Sequence, residues 1–125
     1  MMSESMGEIM NNHIKETLEL KAQEIISETT KYKFPFFSST DEKKKIIFTK
    51  KEQIDNLFDE LLSKYELSSK QDLYWEKEMW NEVQANAVKK FSSLPDCVKI
   101  NSFFLQELMH EYAEKKALWI LNQFS

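Results

Sequence analysis

Apolar residues recur every three or four positions through most of the chain, and the pattern falls into four stretches. In the first, residues 5–30, Met10, Ile14, Leu18, Ala22 and Ile25 form one stripe that Thr29 and Tyr32 continue. This spacing predicts a helix with one core-facing side. Glu4, Glu8 and Glu16 lie toward its positive end, and Ser3 or Ser5 is placed to cap it, behind a disordered start at 1–4. In the second, Thr49 and Glu52 make a T-x-x-E capping box, and Ile54, Leu57, Phe58, Leu61, Leu62 and Tyr65 follow as the cleanest stripe, ending near Glu66.

The third stretch, 71–94, carries more than one apolar face. Leu73, Trp80, Val83, Ala87, Phe91 and Leu94 share a stripe, Trp75 and Met79 stand to one side, and Tyr74 points elsewhere. Ser69 and Asp72 suit a cap, and Pro95 stops the helix just after Ser92 and Ser93. The fourth begins at Asp96 or Ser102 and runs to Gln123. Phe104, Leu105, Leu108, Met109 and Tyr112 make its core side; Gln106, Glu107, His110, Glu111 and Glu114 make its polar side. Residues 117–121, ALWIL, are apolar all round, which places them inside the domain or in an interface.

Between the first two helices, residues 31–49 break the helical period. Pro35 disfavours helix at Phe34, turn formers run from Ser38 to Asp41, and aromatic or β-branched residues stand on both sides. The segment predicts either a long connector or a small hairpin pairing 32–37 with 45–48. The whole chain is then expected to be all-α: one domain over 1–125, a compact bundle of four main helices with a short irregular or β-like insertion after the first.

Composition narrows the chemistry. The only glycine among 125 residues is Gly7, so phosphate-cradling loops, dinucleotide fingerprints and nucleophile elbows are excluded. All 17 basic residues are lysine, which disfavours bidentate recognition of phosphate or guanine. One cysteine gives no disulfide framework, no apolar run approaches a membrane span, and no signal-peptide pattern is visible, so a cytoplasmic protein without membrane contact is expected.

Three constellations are candidates for chemistry. Glu107 and His110 form an E-x-x-H, and ferritin-like di-iron proteins supply such a pair from each of two helices; the second pair is absent, since His13 follows Met10 at that spacing, although Glu16 comes three residues later. A solvated helix face explains the pair more simply, and no cofactor is expected. Cys97 near a helix start suits a lowered thiol pKa, but a small structural residue explains it too; Glu76 with Glu78 and Asp59 with Glu60 read as charged helix faces. Residues 31–51 carry a net +5 in a chain of net −4, with Lys43, Lys44, Lys45, Lys50 and Lys51 interleaved with aromatics. That resembles a single-strand nucleic-acid surface in composition, while rings anchoring the connector and lysines facing water explain it more economically.

What remains is abundance of Trp, Phe and Met on several faces, the residue types enriched at interface cores. The expected function is a non-catalytic protein–protein interaction module: an adaptor, a small inhibitor or immunity-type protein, or a secretion-type chaperone. Trp75, Met79, Leu118, Leu121 and Phe124 are its expected contact residues, and its partner is another protein or a second copy in a homodimer. Ile100, Phe103, Leu118 and Leu121 are expected to form one apolar row. The alternatives are a helical-bundle metalloprotein using Glu107 and His110, and a nucleic-acid-associated regulator using the lysines.

Overall fold

The computed structural model describes residues 2–67, 73–95 and 99–123, the side chains of residues 2–12 and 73–75 excepted. The expected caps Ser69, Asp72 and Asp96, together with Cys97 and Phe124, lie outside the described residues, as do the side chains of Met10, Leu73, Tyr74 and Trp75. Four long helices account for most of the rest: α1, Met2–Glu28; α2, Thr40–Lys64; α3, Leu73–Lys90; and α4, Ser102–Gln123. Among the described residues there is no strand.

The β-like insertion expected at 31–49 does not form. The sequence holds two capping boxes, and the earlier one opens the helix: Ser39 Oγ accepts from the Glu42 N–H at 3.2 Å, with Asp41 and Glu42 in the first turn. Starting there adds Ile47 to the buried stripe of Ile54, Phe58 and Leu62, seven residues before Ile54. Thr49, expected to be the cap, lies mid-helix and donates to the Lys45 carbonyl at 2.9 Å. Leu57 from the expected stripe is exposed, and Leu61 and Tyr65 are only half-buried.

The true connector is short. A 3-10 turn, Thr29–Lys31, ends α1, and the chain extends from Tyr32 to Ser39. It is held to the start of α4. The Phe34 N–H donates to Ser102 Oγ at 3.0 Å, and Gln106 Nε2 donates to the Tyr32 carbonyl at 3.0 Å. Asn101 caps α4, its Oδ1 accepting from the Phe104 N–H at 2.9 Å.

At the other end of α2 the sequence has no glycine to offer. Glu66 takes the left-handed conformation instead (φ 56°), and the turn closes as a Schellman motif: the Leu67 N–H reaches the Leu62 carbonyl at 2.9 Å and the Glu66 N–H reaches Ser63 at 3.1 Å. A side chain with a Cβ is disfavoured there. Glu66→Gly should therefore raise stability by up to about 1 kcal/mol in urea denaturation, the relieved strain exceeding the added backbone freedom.

Helix α4 occupies the centre and packs on the other three. Phe104, Leu105, Leu108, Met109 and Tyr112 are all buried, as their spacing predicts. Leu18, Ala22, Ile25 and Ile26 of α1, and Met79, Val83 and Ala87 of α3, close over it from two sides, while α2 packs on both α1 and α4. Thr29 lies beside His110, and the 16–26 stretch of α1 beside 114–121 of α4, so these two helices run antiparallel.

Candidate functional site

The antiparallel pairing of α1 and α4 leaves an open groove of about 720 Å³ between them. Its floor is Ala22, Ile26 and Ala117, its apolar walls are Leu20, Leu118 and Leu121, and its polar rim is Glu16, Glu19, Gln23 and Glu114. Leu20 is 68% exposed and Leu118 61% exposed. No lysine stands among the described residues that line it. Glu114 is in contact with His110 Nε2 at 2.7 Å, whereas neither Glu16 nor Glu19 is in an ion pair among the described residues. Leu118 is also the ridge of a smaller groove, about 380 Å³, between α3 and α4, bordered by Glu78, Glu82 and Trp119.

Of the expected contact residues, Leu118 and Leu121 therefore line one site, Leu121 being partly buried against the core. Met79 is 4% exposed and belongs to the core, reaching only the floor of the smaller groove. Phe124 and the Trp75 side chain lie outside the described residues. The expected row of Ile100, Phe103, Leu118 and Leu121 is not continuous. Ile100 is half-buried, and Glu107, His110 and Glu114 separate exposed Phe103 from the leucines. Leu20 was absent from the expected set, although a leucine off the Leu18–Ala22–Ile25 stripe was the signal for it.

The E-x-x-H pair lines a separate shallow groove with Thr30, Phe91, Phe103 and Gln106. Glu107 pairs with Lys90 of α3 at 2.9 Å, and His110 Nδ1 lies 3.4 Å from Thr29 Oγ1 while its other nitrogen faces Glu114. Among the described residues no three His, Cys, Asp or Glu side chains cluster as metal ligands would.

Of the expected basic connector, Lys43, Lys44, Lys45, Lys50 and Lys51 sit on α2, and three of these five are engaged within the chain. Lys43 donates to the Ile100 carbonyl at 2.7 Å and lies over the Phe34 ring; Lys50 lies over Tyr32, 4.7 Å from the ring centre; Lys51 pairs with Asp55 at 3.2 Å. Lys44 and Lys45 are exposed. The aromatics divide likewise. Tyr32 and Phe34 pack on the core, while Phe36 and Phe37 stand edge to face, 92% and 90% exposed. Burial, and then the charge of Glu28, raise the Tyr32 phenol above its ordinary pKa.

A polar cluster inside the bundle escaped the sequence pattern. Asp55 of α2 accepts from Tyr112 Oη and from Lys116 Nζ, each at 2.5 Å, with Lys51 at 3.2 Å on its other oxygen. Lys116 is 6% exposed, and Trp80 packs edge-on to Tyr112 at 5.4 Å. Burial pushes the Asp55 carboxyl up, but the hydrogen bonds from Lys116 and Tyr112 and the charges of Lys116 and Lys51 outweigh it and hold the group below its ordinary range. Burial first, then the hydrogen bond to Asp55 and its charge, drive the Tyr112 phenol far above its ordinary pKa. With every partner satisfied and its tyrosine locked neutral, the cluster joins α2 to α4 rather than offering a free acid or base.

Comparison with protein-family models, curated proteins and solved structures finds no match. Among the described residues no helix is long and apolar enough to cross a membrane.

Proposed function

We propose that this chain is a non-catalytic protein–protein interaction module that binds its partner in the groove between α1 and α4. The observation that carries it is the pair Leu20 and Leu118, two leucines more than half exposed and facing each other across an apolar floor. Leucines gathered along one open apolar groove, unlike leucines scattered singly over a surface, point to an interaction site. Two antiparallel helices with Ala22 and Ala117 between them leave room for a third helix to approach, the helix-in-groove mode of recognition. An adaptor, an inhibitor or a chaperone would all use such a groove. The cytoplasm is the proposed site of action, because one cysteine supplies no disulfide framework for an oxidising compartment. The metal and nucleic-acid alternatives draw less support, because Glu107, His110, Lys43, Lys50 and Lys51 already have partners within the chain.

A photoreactive amino acid placed at position 20 in the native host should join the chain covalently to a second polypeptide. The adduct should disappear with Leu118→Glu, a substitution that leaves the fold intact because Leu118 is a surface residue. An adduct of unchanged yield in that variant, or none at all from position 20, would remove the groove as the binding face.

A further inference from the structure

Resting on the groove as the binding face, we infer that its occupant is a lysine- or arginine-bearing amphipathic helix of another protein, not a second copy of this chain. The shape asks for apolar side chains on one face of a helix: the floor of Ala22 and Ala117 admits close approach, and Leu20 and Leu118 flank whatever lies between them. The charge asks for cations beside that face. Glu16 and Glu19 stand on the α1 side and Glu114 on the α4 side, with no lysine among the described lining residues. An apolar strip with carboxylates on both edges repels an acidic helix and draws a basic one into register.

The same charges count against self-pairing. A symmetric dimer places the same patch on both sides of its axis, so this groove would meet itself with Glu16, Glu19 and Glu114 of one copy facing those of the other. Like charges brought together out of water disfavour that contact. The net +5 of residues 31–51 does not line the groove in the same molecule, since none of its residues is among those that form the groove's walls, floor or rim.

The probe is a synthetic amphipathic helix of about four turns, leucines on one face and lysines flanking them, with a twin in which every lysine is glutamate. Fluorescence anisotropy with the full chain should show binding of the lysine helix that weakens as salt rises, and no comparable binding of the glutamate helix. Leu118→Glu should weaken the lysine helix about tenfold or more. Glu16→Lys with Glu19→Lys should weaken it as well and admit the glutamate helix; both positions are exposed, and far-UV circular dichroism verifies that the variants stay folded. Equal affinity for the two helices, or binding of the lysine helix that ignores Leu118→Glu, would overturn the inference. Sedimentation distinguishes the remaining case. A wild-type dimer that Leu118→Glu converts to monomer would show the groove to be a protein-binding face whose occupant is a second copy, ending this inference while leaving the proposed function standing.

Discussion

Asp55→Ala should cost about 3 kcal/mol of stability, the low end of the range for removing one partner of a buried ion pair. The low end applies because the Asp55 side chain is 24% exposed, so water reaches part of the site. The loss is still a large share of the 5–15 kcal/mol that holds a typical domain together. Most of it comes from what is left behind: Lys116 Nζ, on a side chain only 8% exposed, loses its carboxylate, and the Tyr112 hydroxyl loses its acceptor. Asp55 and Lys116 replaced together by Leu and Met should therefore be more stable than Asp55→Ala alone, since the buried Lys116 charge goes with its carboxylate and only the more exposed Lys51 loses a partner. The pH dependence follows from the direction of the shift. The folded Asp55 pKa lies below the unfolded one, so the stabilisation is fully present above about pH 4 and is lost as pH falls through the folded value. Urea denaturation across pH should show the gap between wild type and Asp55→Ala closing below about pH 4. A gap of constant size, or a neutral-pH cost below about 1 kcal/mol, would mean the cluster is solvated and worth no more than a surface pair.

Leu62→Ala should destabilise by about 2–5 kcal/mol, and Leu61→Ala by clearly less. Both leucines fit the stripe of α2, but Leu62 is 2% exposed while Leu61 is only half-buried. The helical period does not decide between them, because Leu61 and Leu62 stand on either side of the axis through Ile47, Ile54 and Phe58; the packing of α2 on α1 and α4 does, by burying Leu62. Thermal or urea denaturation of the two single variants measures the difference directly. Equal losses would place the core side of α2 midway between the two.

That pair shows what local pattern carries and where it stops. The helical class and the core side of α4 were legible, because Phe104, Leu105, Leu108, Met109 and Tyr112 repeat at helical spacing with polar residues opposite. The start of α2 was not. Its Ile46, Ile47 and Phe48 have the residue types of a strand, and Thr49 with Glu52 makes as good a capping box as Ser39 with Glu42. Only packing of Ile47 into the core selects the earlier one. Met79 was expected on a partner face because it sits off the Trp80 stripe, yet α3 turns Met79, Val83 and Ala87 inward and leaves Trp80 and Phe91 half-buried beside them. The Asp55–Lys116–Tyr112 cluster joins residues 57 and 61 positions apart, which no local period reports. Half the candidate groove was legible from Leu118 and Leu121 on an all-apolar helix end. The other half, Leu20 and the carboxylates of α1, appears only once α1 and α4 are known to lie antiparallel.

Backbone amide NMR of the full chain, titrated with the lysine-flanked helix, tests the central claim most directly. The perturbed amides should map to Leu20, Ala22, Ile26, Ala117, Leu118 and Leu121, the two walls and floor of the groove between α1 and α4. Perturbations that instead centre on Phe36 and Phe37, or that spread over the exposed carboxylates of every helix without favouring this groove, would contradict it.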